Sequence, residues 1–388
     1  MTPMAWTYLD PRGMGITLSA SAALLALVLL ITNRALGGRL PGMQQAAGGV
    51  LLASLGFTLN MLQAWLTPLA GLVLAVVLMV AGVALVLGGV RRLRGMPAHW
   101  GWLLVCCLVG LAIALWFGLA APNPRWRIGL LSLLLALLAV LLARTALGES
   151  RAQHQAGMRL LALLGVVFAV LMGLRSVAAA LGLVESSVSS TLVNSASVLA
   201  AGMSLIGGVV GLVLVISGDL MALVEHQRTH DPLTDLLNRL GLRQWVGQQA
   251  SHVPLALGMV DLDHFKQVND THGHALGDQV IRHLALLLKA SEFPDCRAAR
   301  LGGEEFVIVA LGPDQATPLL QTLEQLRTQF QQGGPLPGNT LSAGMARGHV
   351  GGFEGTLREA DAALYRAKQA GRNRVESAQE VPIFDAVG

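Results

Sequence analysis

Charge is scarce in this chain, and so are tyrosine and cysteine. Of 388 residues only 13% are charged, two are tyrosine and three are cysteine. Cys106 and Cys107 are adjacent inside an apolar run and Cys296 stands alone in the polar half. This set has neither a zinc-ligand spacing nor a disulfide framework, and a reducing cytoplasm suits all three. Lysine is absent from residues 1–226, where all 12 basic residues are arginine and only 5 residues are acidic. Residues 227–388 hold 15 basic and 18 acidic residues, so the first part carries +7 and the second −3. The basic pI of about 9.3 therefore belongs to the apolar part, which leaves little basis for a nucleic-acid surface.

Apolar residues are abundant, at 53% of the chain, with a mean hydropathy of +0.59. A bilayer core asks for roughly 20 apolar residues per helix. Seven such runs are read at about 14–31, 46–66, 68–90, 101–121, 128–147, 160–184 and 193–216, separated by short polar loops. The first run lacks a basic leader, so no cleavable signal is expected. With the N-terminus outside, the inner loops carry eight arginines (Arg34, Arg39, Arg91, Arg92, Arg94, Arg144, Arg151 and Arg159) and the outer segments three (Arg12, Arg125 and Arg127). The positive-inside rule then favours an N-out, C-in arrangement in which seven spans deliver residue 217 to the cytoplasm. Arg175 falls inside the sixth run. It is read either as a ligand or counter-ion site or as a snorkelling side chain. Gly207 and Gly211 form a GxxxG step in the last run, suited to close packing within the bundle or to a dimer face.

The domain plan expected is a membrane region at 1–216, a helical linker at 217–230, a second domain at 231–376 and a tail at 377–388. Asp231 followed by Pro232 reads as a helix start, an N-cap with Pro at the first helical position. Beyond it, "PLALGMVDLDHFK" reads as a strand and a polar turn, and "HALGDQVIRHLALLLKA" as a helix. "AARLGGEEFVIVAL" reads as two strands joined at Gly302 and Gly303. A helix at "ATPLLQTLEQLRTQF", a strand at "NTLSAGMAR" and a final helix closed by Gly371 follow. The fold class expected is an all-α transmembrane bundle joined to an α/β (α+β) domain with a mostly antiparallel sheet flanked by helices.

Two neighbouring carboxylates, Glu304 and Glu305, open a strand just after two glycines. Like charges so placed are unfavourable unless a cation or reacting group lies between them. Asp261, at the end of another strand, adds a third hard oxygen ligand suited to Mg²⁺ or Mn²⁺, which take one or two carboxylates plus substrate phosphates. Gly302 and Gly303, without a Cβ, leave room for a nucleotide against the turn.

"DPLTDLLNR", "DLDHFKQVNDTHGHALGD", "RLGGEEF" and "ADAALYRAKQAGRN" together resemble the GGDEF domain of diguanylate cyclases, in its GGEEF variant. The resemblance implies a homodimeric enzyme that joins two GTP into cyclic di-GMP, read by downstream cyclic di-GMP receptors. It implies two Mg²⁺ (or Mn²⁺) per GTP site, held by Asp261, the Leu262 carbonyl, Glu304 and Glu305, with Glu304 as the base for the ribose 3′-hydroxyl. It implies guanine recognition by Asn269 and Asp278, and places His264, Lys266, Gly302, Gly303, Lys368 and Arg372 at the substrate. Lys368 and Arg372 are expected on one face of the final helix, four residues apart. Asp235 and Leu240 depart from the family's Gly and Arg. Phe293 and Cys296 occupy the positions of the RxxD motif that grips inhibitory product, so weak feedback inhibition is expected. The whole reads as a bacterial inner-membrane sensor enzyme; the alternative is a silent GTP-binding module acting on a protein partner.

Overall fold

In a computed structural model the described residues are 11–35, 37–38, 40–184, 191–293, 295–378. Arg39 and the final residues of the expected tail lie outside them. The chain divides into two compact units, residues 1–222 and 223–388.

The regular elements of the first unit among the described residues are helices: α1 (Pro11–Ala35), α2 (Met43–Met61), α3 (Ala75–Leu93), α4 (Trp100–Leu115), α5 (Pro124–Leu147), α6 (Gln155–Ala180) and α7 (Leu192–Thr229), whose last residues belong to the second unit. Short π-helical turns at Leu69–Leu74 and Trp116–Ala120 extend α3 and α4. Six of the seven are long and apolar enough to cross a membrane. The expected second span, α2, is not among them, because Gln44, Gln45, Thr58 and Asn60 occupy its ends. More than half of α2 is buried by its neighbours, with Ala46, Val50, Ala53 and Phe57 among the buried residues.

Small residues explain how α2 and α3 approach. Gly42, Gly49 and Gly56 recur every seven residues, and Ala75, Gly82 and Gly89 do the same on the partner. A Cβ on Gly49 would meet the Gly82 carbonyl, one on Gly82 the Ala53 amide, and one on Gly56 the Ala75 carbonyl. The antiparallel helices thus meet backbone to backbone along a glycine stripe, the packing by which helices associate without a hydrophobic driving force. Gly207 and Gly211 face Leu164 and Leu161 of α6, so they are used in packing within this bundle.

The second unit holds α8 (Arg239–Gly247), β1 (Pro254–Leu262), α9 (Phe265–His272), α10 (His274–Ala290), β2 (Cys296–Gly302), β3 (Glu305–Leu311), α11 (Ala316–Gly333), β4 (Leu341–His349), α12 (Phe353–Gln369) and β5 (Val375–Ser377). The strands form one sheet in the order β2-β3-β1-β4-β5. Every pairing is antiparallel except β4 with β5, so the expected mostly antiparallel sheet is mixed at one edge. Side chains alternate across it. Ala256, Val260, Leu262, Phe306 and Ile308 join the α10 and α11 side of the core, while Leu255, Leu257, Met259, Val307 and Val309 join the α8 and α12 side.

Asp231–Pro232 does not start a helix. Asp231 Oδ1 accepts from the Leu233 and Thr234 amides at 3.2 and 3.0 Å, but Asp235 takes a left-handed conformation at φ 58° and ends the turn. α8 begins later, where Asn238 Oδ1 accepts from the Gly241 amide at 2.9 Å, an ordinary N-cap.

Candidate functional site

Alternation along β1 decides where the site forms. Asp261 has the same parity as Leu257 and Met259, so it emerges on the face that α12 covers. Cross-strand register sets Glu305 of β3 directly opposite it. Lys368, in the last turn of α12, reaches down to this pair and donates to Asp261 Oδ1 at 2.8 Å. Asp261 is 5% exposed. Burial pushes its carboxyl up from the ordinary value, Lys368 pulls it down, and the charges of Glu304 and Glu305 push in the same direction as burial. A surface cleft lined by Asp261, Glu305, Arg358, Asp361, Tyr365 and Lys368 opens beside them.

Glu304 sits half-buried in the β2–β3 turn and Glu305 is exposed. Gly302 at φ 154° and Gly303 at φ 49° make this turn, with a register shift between Arg300 and Gly302. Arg300 holds it: Nε and Nη2 donate to the Gly303 carbonyl at 3.1 and 2.8 Å, and Nη1 donates to Asp231 Oδ1 at 2.9 Å. That guanidinium ties the turn carrying the carboxylates to the loop at the domain entrance. The role was hidden in the sequence because Arg300 and Asp231 are 69 residues apart.

Asp263 is a second residue whose structural role is not legible in the sequence. It is 3% exposed and its oxygens accept from Thr340 Oγ1 and Ser342 Oγ at 2.7 Å each and from the Asn373 amide at 3.1 Å. It fixes the loop after β1 against β4 and against the segment that follows α12. The available signal was an acidic residue directly after the apolar strand that ends at Leu262, where a buried carboxylate needs partners.

Leu262 is buried at the end of β1. His264, exposed and left-handed at φ 55°, precedes the first turn of α9, and Lys266 projects from it. The free amides of a helix start favour a phosphate there. Asn269 of α9 lies against Gly277 of α10, the residue before Asp278, since a Cβ on Gly277 would overlap Asn269 Oδ1. Arg372 departs from expectation. α12 ends at Gln369, and Arg372 lies beyond it at φ 62° with its amide donating to the Ala367 carbonyl at 3.0 Å. The helical i, i+4 geometry with Lys368 is therefore absent, because Gly371 at φ 109° turns the chain out of the helix.

Asp261, Glu304 and Glu305 are a hard oxygen donor set of the kind Mg²⁺ takes, and the Lys368 ammonium already compensates the most buried of them. The residues fit a divalent cation in chemistry. Among the described residues no three His, Cys, Asp or Glu side chains converge in ligating geometry.

Asp235, where the resemblance expects glycine, accepts from Lys289 Nζ at 3.0 Å and pairs with His226 Nε2 at 2.8 Å. It links the end of α7 to α10. Those two hydrogen bonds hold its carboxyl below the ordinary value.

Comparison with known proteins places residues 228–374 under the family described as diguanylate cyclase, GGDEF domain. The diguanylate cyclase DgcP of Pseudomonas aeruginosa is 40% identical over 164 residues, which is 38% of this chain and 24% of that protein. An uncharacterized signaling protein of Caulobacter vibrioides is 36% identical over 162 residues, covering 38% of this chain and 20% of its own length. The crystal structure of the GGDEF domain of DgcB from Caulobacter crescentus, in complex with c-di-GMP, is 36% identical and covers 39% of this chain and 95% of that one, with a TM-score of 0.36. The chain spans about a fifth to a third of the length of the curated relatives it matches.

Proposed function

Residues 228–374 are a GGDEF domain of the diguanylate cyclase family, and on that premise we propose that the chain is a membrane-bound diguanylate cyclase making cyclic di-GMP from two GTP. The observation that carries this reading is the convergence of Asp261, Glu305 and Lys368 on one cleft, with Glu304 in the adjoining turn.

In the proposed reaction the 3′-hydroxyl oxygen of one GTP attacks the α-phosphorus of the other and the bond to pyrophosphate breaks. The event occurs twice per product, so two pyrophosphates leave. Glu304 takes the hydroxyl proton. Asp261, the Leu262 carbonyl, Glu304 and Glu305 would hold magnesium, which would supply charge compensation to the triphosphate. Lys266, Lys368 and Arg372 add cationic contacts to the phosphates, and His264 opens the loop that receives them. Gly302 and Gly303 leave the turn bare for the nucleotide. Asp278 accepts from the ring N–H and amine of guanine, a pair adenine lacks, and Asn269 completes the edge. Each domain holds one GTP, so two copies of the chain meet face to face, and α7 couples that pairing to the helical unit.

The helical unit is placed in the bacterial inner membrane with its N-terminus outside. All seven helices cross it, α2 included, because a helix enclosed by protein needs less hydropathy than one facing lipid. At 19 residues and about 1.5 Å per residue, α2 is long enough for most of the hydrocarbon core. Incubating the detergent-solubilised chain with GTP and Mg²⁺ and separating the nucleotides by chromatography tests the proposal. Cyclic di-GMP is the expected product; bound GTP without turnover would instead identify a silent nucleotide-binding module.

A further inference from the structure

The helical unit holds two partly open cavities that share lining residues. One, of about 100 Å³, lies among α2, α3, α5, α6 and α7 and is lined almost wholly by apolar groups such as Phe57, Leu164, Phe168 and Leu205. The other, of about 50 Å³, is lined by Arg127, Arg175, Asn60 and Ser132 among apolar neighbours. Met79 of α3 and Leu135 of α5 line both. An apolar chamber therefore adjoins a cationic mouth.

The polar groups of the mouth come from three helices. Asn60 comes from the end of α2, Arg127 and Ser132 from the start of α5, and Arg175 from the end of α6. Arg175 Nε donates to Asn194 Oδ1 of α7 at 3.2 Å, which orients that guanidinium. The charged side chains lining the mouth among the described residues are both guanidiniums. Guanidinium groups in a membrane bundle are costly and mark ligand or ion sites, and their planar donor fork matches a carboxylate. Capacity limits the tail. With roughly 10–15 Å³ of such space needed for one water, the two cavities together hold the equivalent of about 10–15 waters, enough for a short or medium aliphatic chain and too little for a two-chain lipid.

We infer that the helical unit binds an aliphatic carboxylate, its head at Arg127 and Arg175 and its chain between Met79 and Leu135 in the apolar chamber. The site stands apart from the nucleotide chemistry, and its test does not use that activity.

Octanoate is the probe, and the full chain is placed in nanodiscs of zwitterionic lipid. The expected result is saturable octanoate binding above that of empty nanodiscs, with octanol competing at least tenfold more weakly. Arg127→Gln weakens binding tenfold or more. Gly208→Ala and Gly208→Val test the chamber independently, since Gly208 lines it and a Cβ there meets nothing within 4 Å; the added methyls take up the space and weaken octanoate binding, more in the valine variant than in the alanine one. Partitioning equal to empty nanodiscs, equal competition by octanol, or parent-like binding in both Arg127→Gln and Gly208→Val overturns the inference. Loss of octanoate binding when anionic phospholipid is included in the nanodisc also overturns it, by identifying a bilayer lipid as the occupant.

Discussion

Replacing Asp263 by alanine strips a buried carboxylate from three donors at once: the hydroxyls of Thr340 and Ser342 and the Asn373 amide. A buried donor left without an acceptor costs about 1–3 kcal/mol. Hydroxyls can turn toward other acceptors, so the sum is set at about 3–5 kcal/mol. For a unit of this size each kcal/mol moves the melting midpoint by roughly 2–4 °C, which gives a drop of roughly 6–20 °C. Pulse proteolysis along a thermal ramp reads this for the C-terminal unit while the helical unit stays folded. Asp263→Asn retains one acceptor oxygen and falls between parent and alanine. The same contacts hold the loop after β1 against the segment bearing Arg372, so the KM for GTP rises in both variants. A midpoint for Asp263→Ala within ~2 °C of the parent would refute the assignment of Asp263 as the tie between these loops.

Arg300→Ala releases both the Gly303 carbonyl and Asp231 and lowers turnover at least tenfold, measured at saturating GTP; unchanged turnover would show that the turn holds its shape unaided. Burial raises the Asp231 carboxyl, but Arg300 and Thr234 outweigh it and hold the pKa below its ordinary value. A depressed carboxylate stabilises the fold above the unfolded pKa of about 3.9 and loses that contribution as pH falls through the folded value. The stability difference between parent and Asp231→Asn therefore shrinks in melts taken below about pH 4, and a difference constant down to pH 2 contradicts the pairing. Gly277→Ala pushes a Cβ into Asn269 Oδ1 and weakens GTP binding about tenfold, or ~1.4 kcal/mol, by calorimetry. Turnover stays unaffected by added cyclic di-GMP, because Phe293 and a fully buried Cys296 offer neither guanidinium nor carboxylate to it; strong inhibition at low micromolar product would require another site.

Much of the C-terminal unit was legible because its strands carry alternation and its turns carry their own chemistry. The β2–β3 hairpin was readable from Gly302 and Gly303, and α10 and α11 from apolar spacing. Long-range choices were not. Nothing local marks β5, three residues that pair with β4 only after α12 has brought the chain back. Asp231 carries a helix-start signal, yet the left-handed Asp235 four residues on decides the outcome. The spacing of Arg372 and Lys368 predicts a shared helical face, but α12 ends at Gln369 and Gly371 turns the chain away between them. In the helical unit, hydropathy located the apolar runs, and α2 stands out least among them because its burial by neighbours is a tertiary fact. The heptad of small residues joining α2 to α3 was present in the sequence, although it becomes informative only once the pairing of 42 with 89, 49 with 82 and 56 with 75 is known.

The central claim is that the carboxylates at the β2–β3 turn and the end of β1 serve nucleotide condensation. Its most direct measurement is the joint yield of cyclic di-GMP and pyrophosphate from GTP and Mg²⁺ by the solubilised parent and by Glu304→Ala. The account predicts two pyrophosphates per cyclic di-GMP from the parent, with turnover by the variant reduced at least a thousandfold while GTP is still bound. Equal yields from the two proteins, or no cyclic di-GMP from the parent, would contradict it.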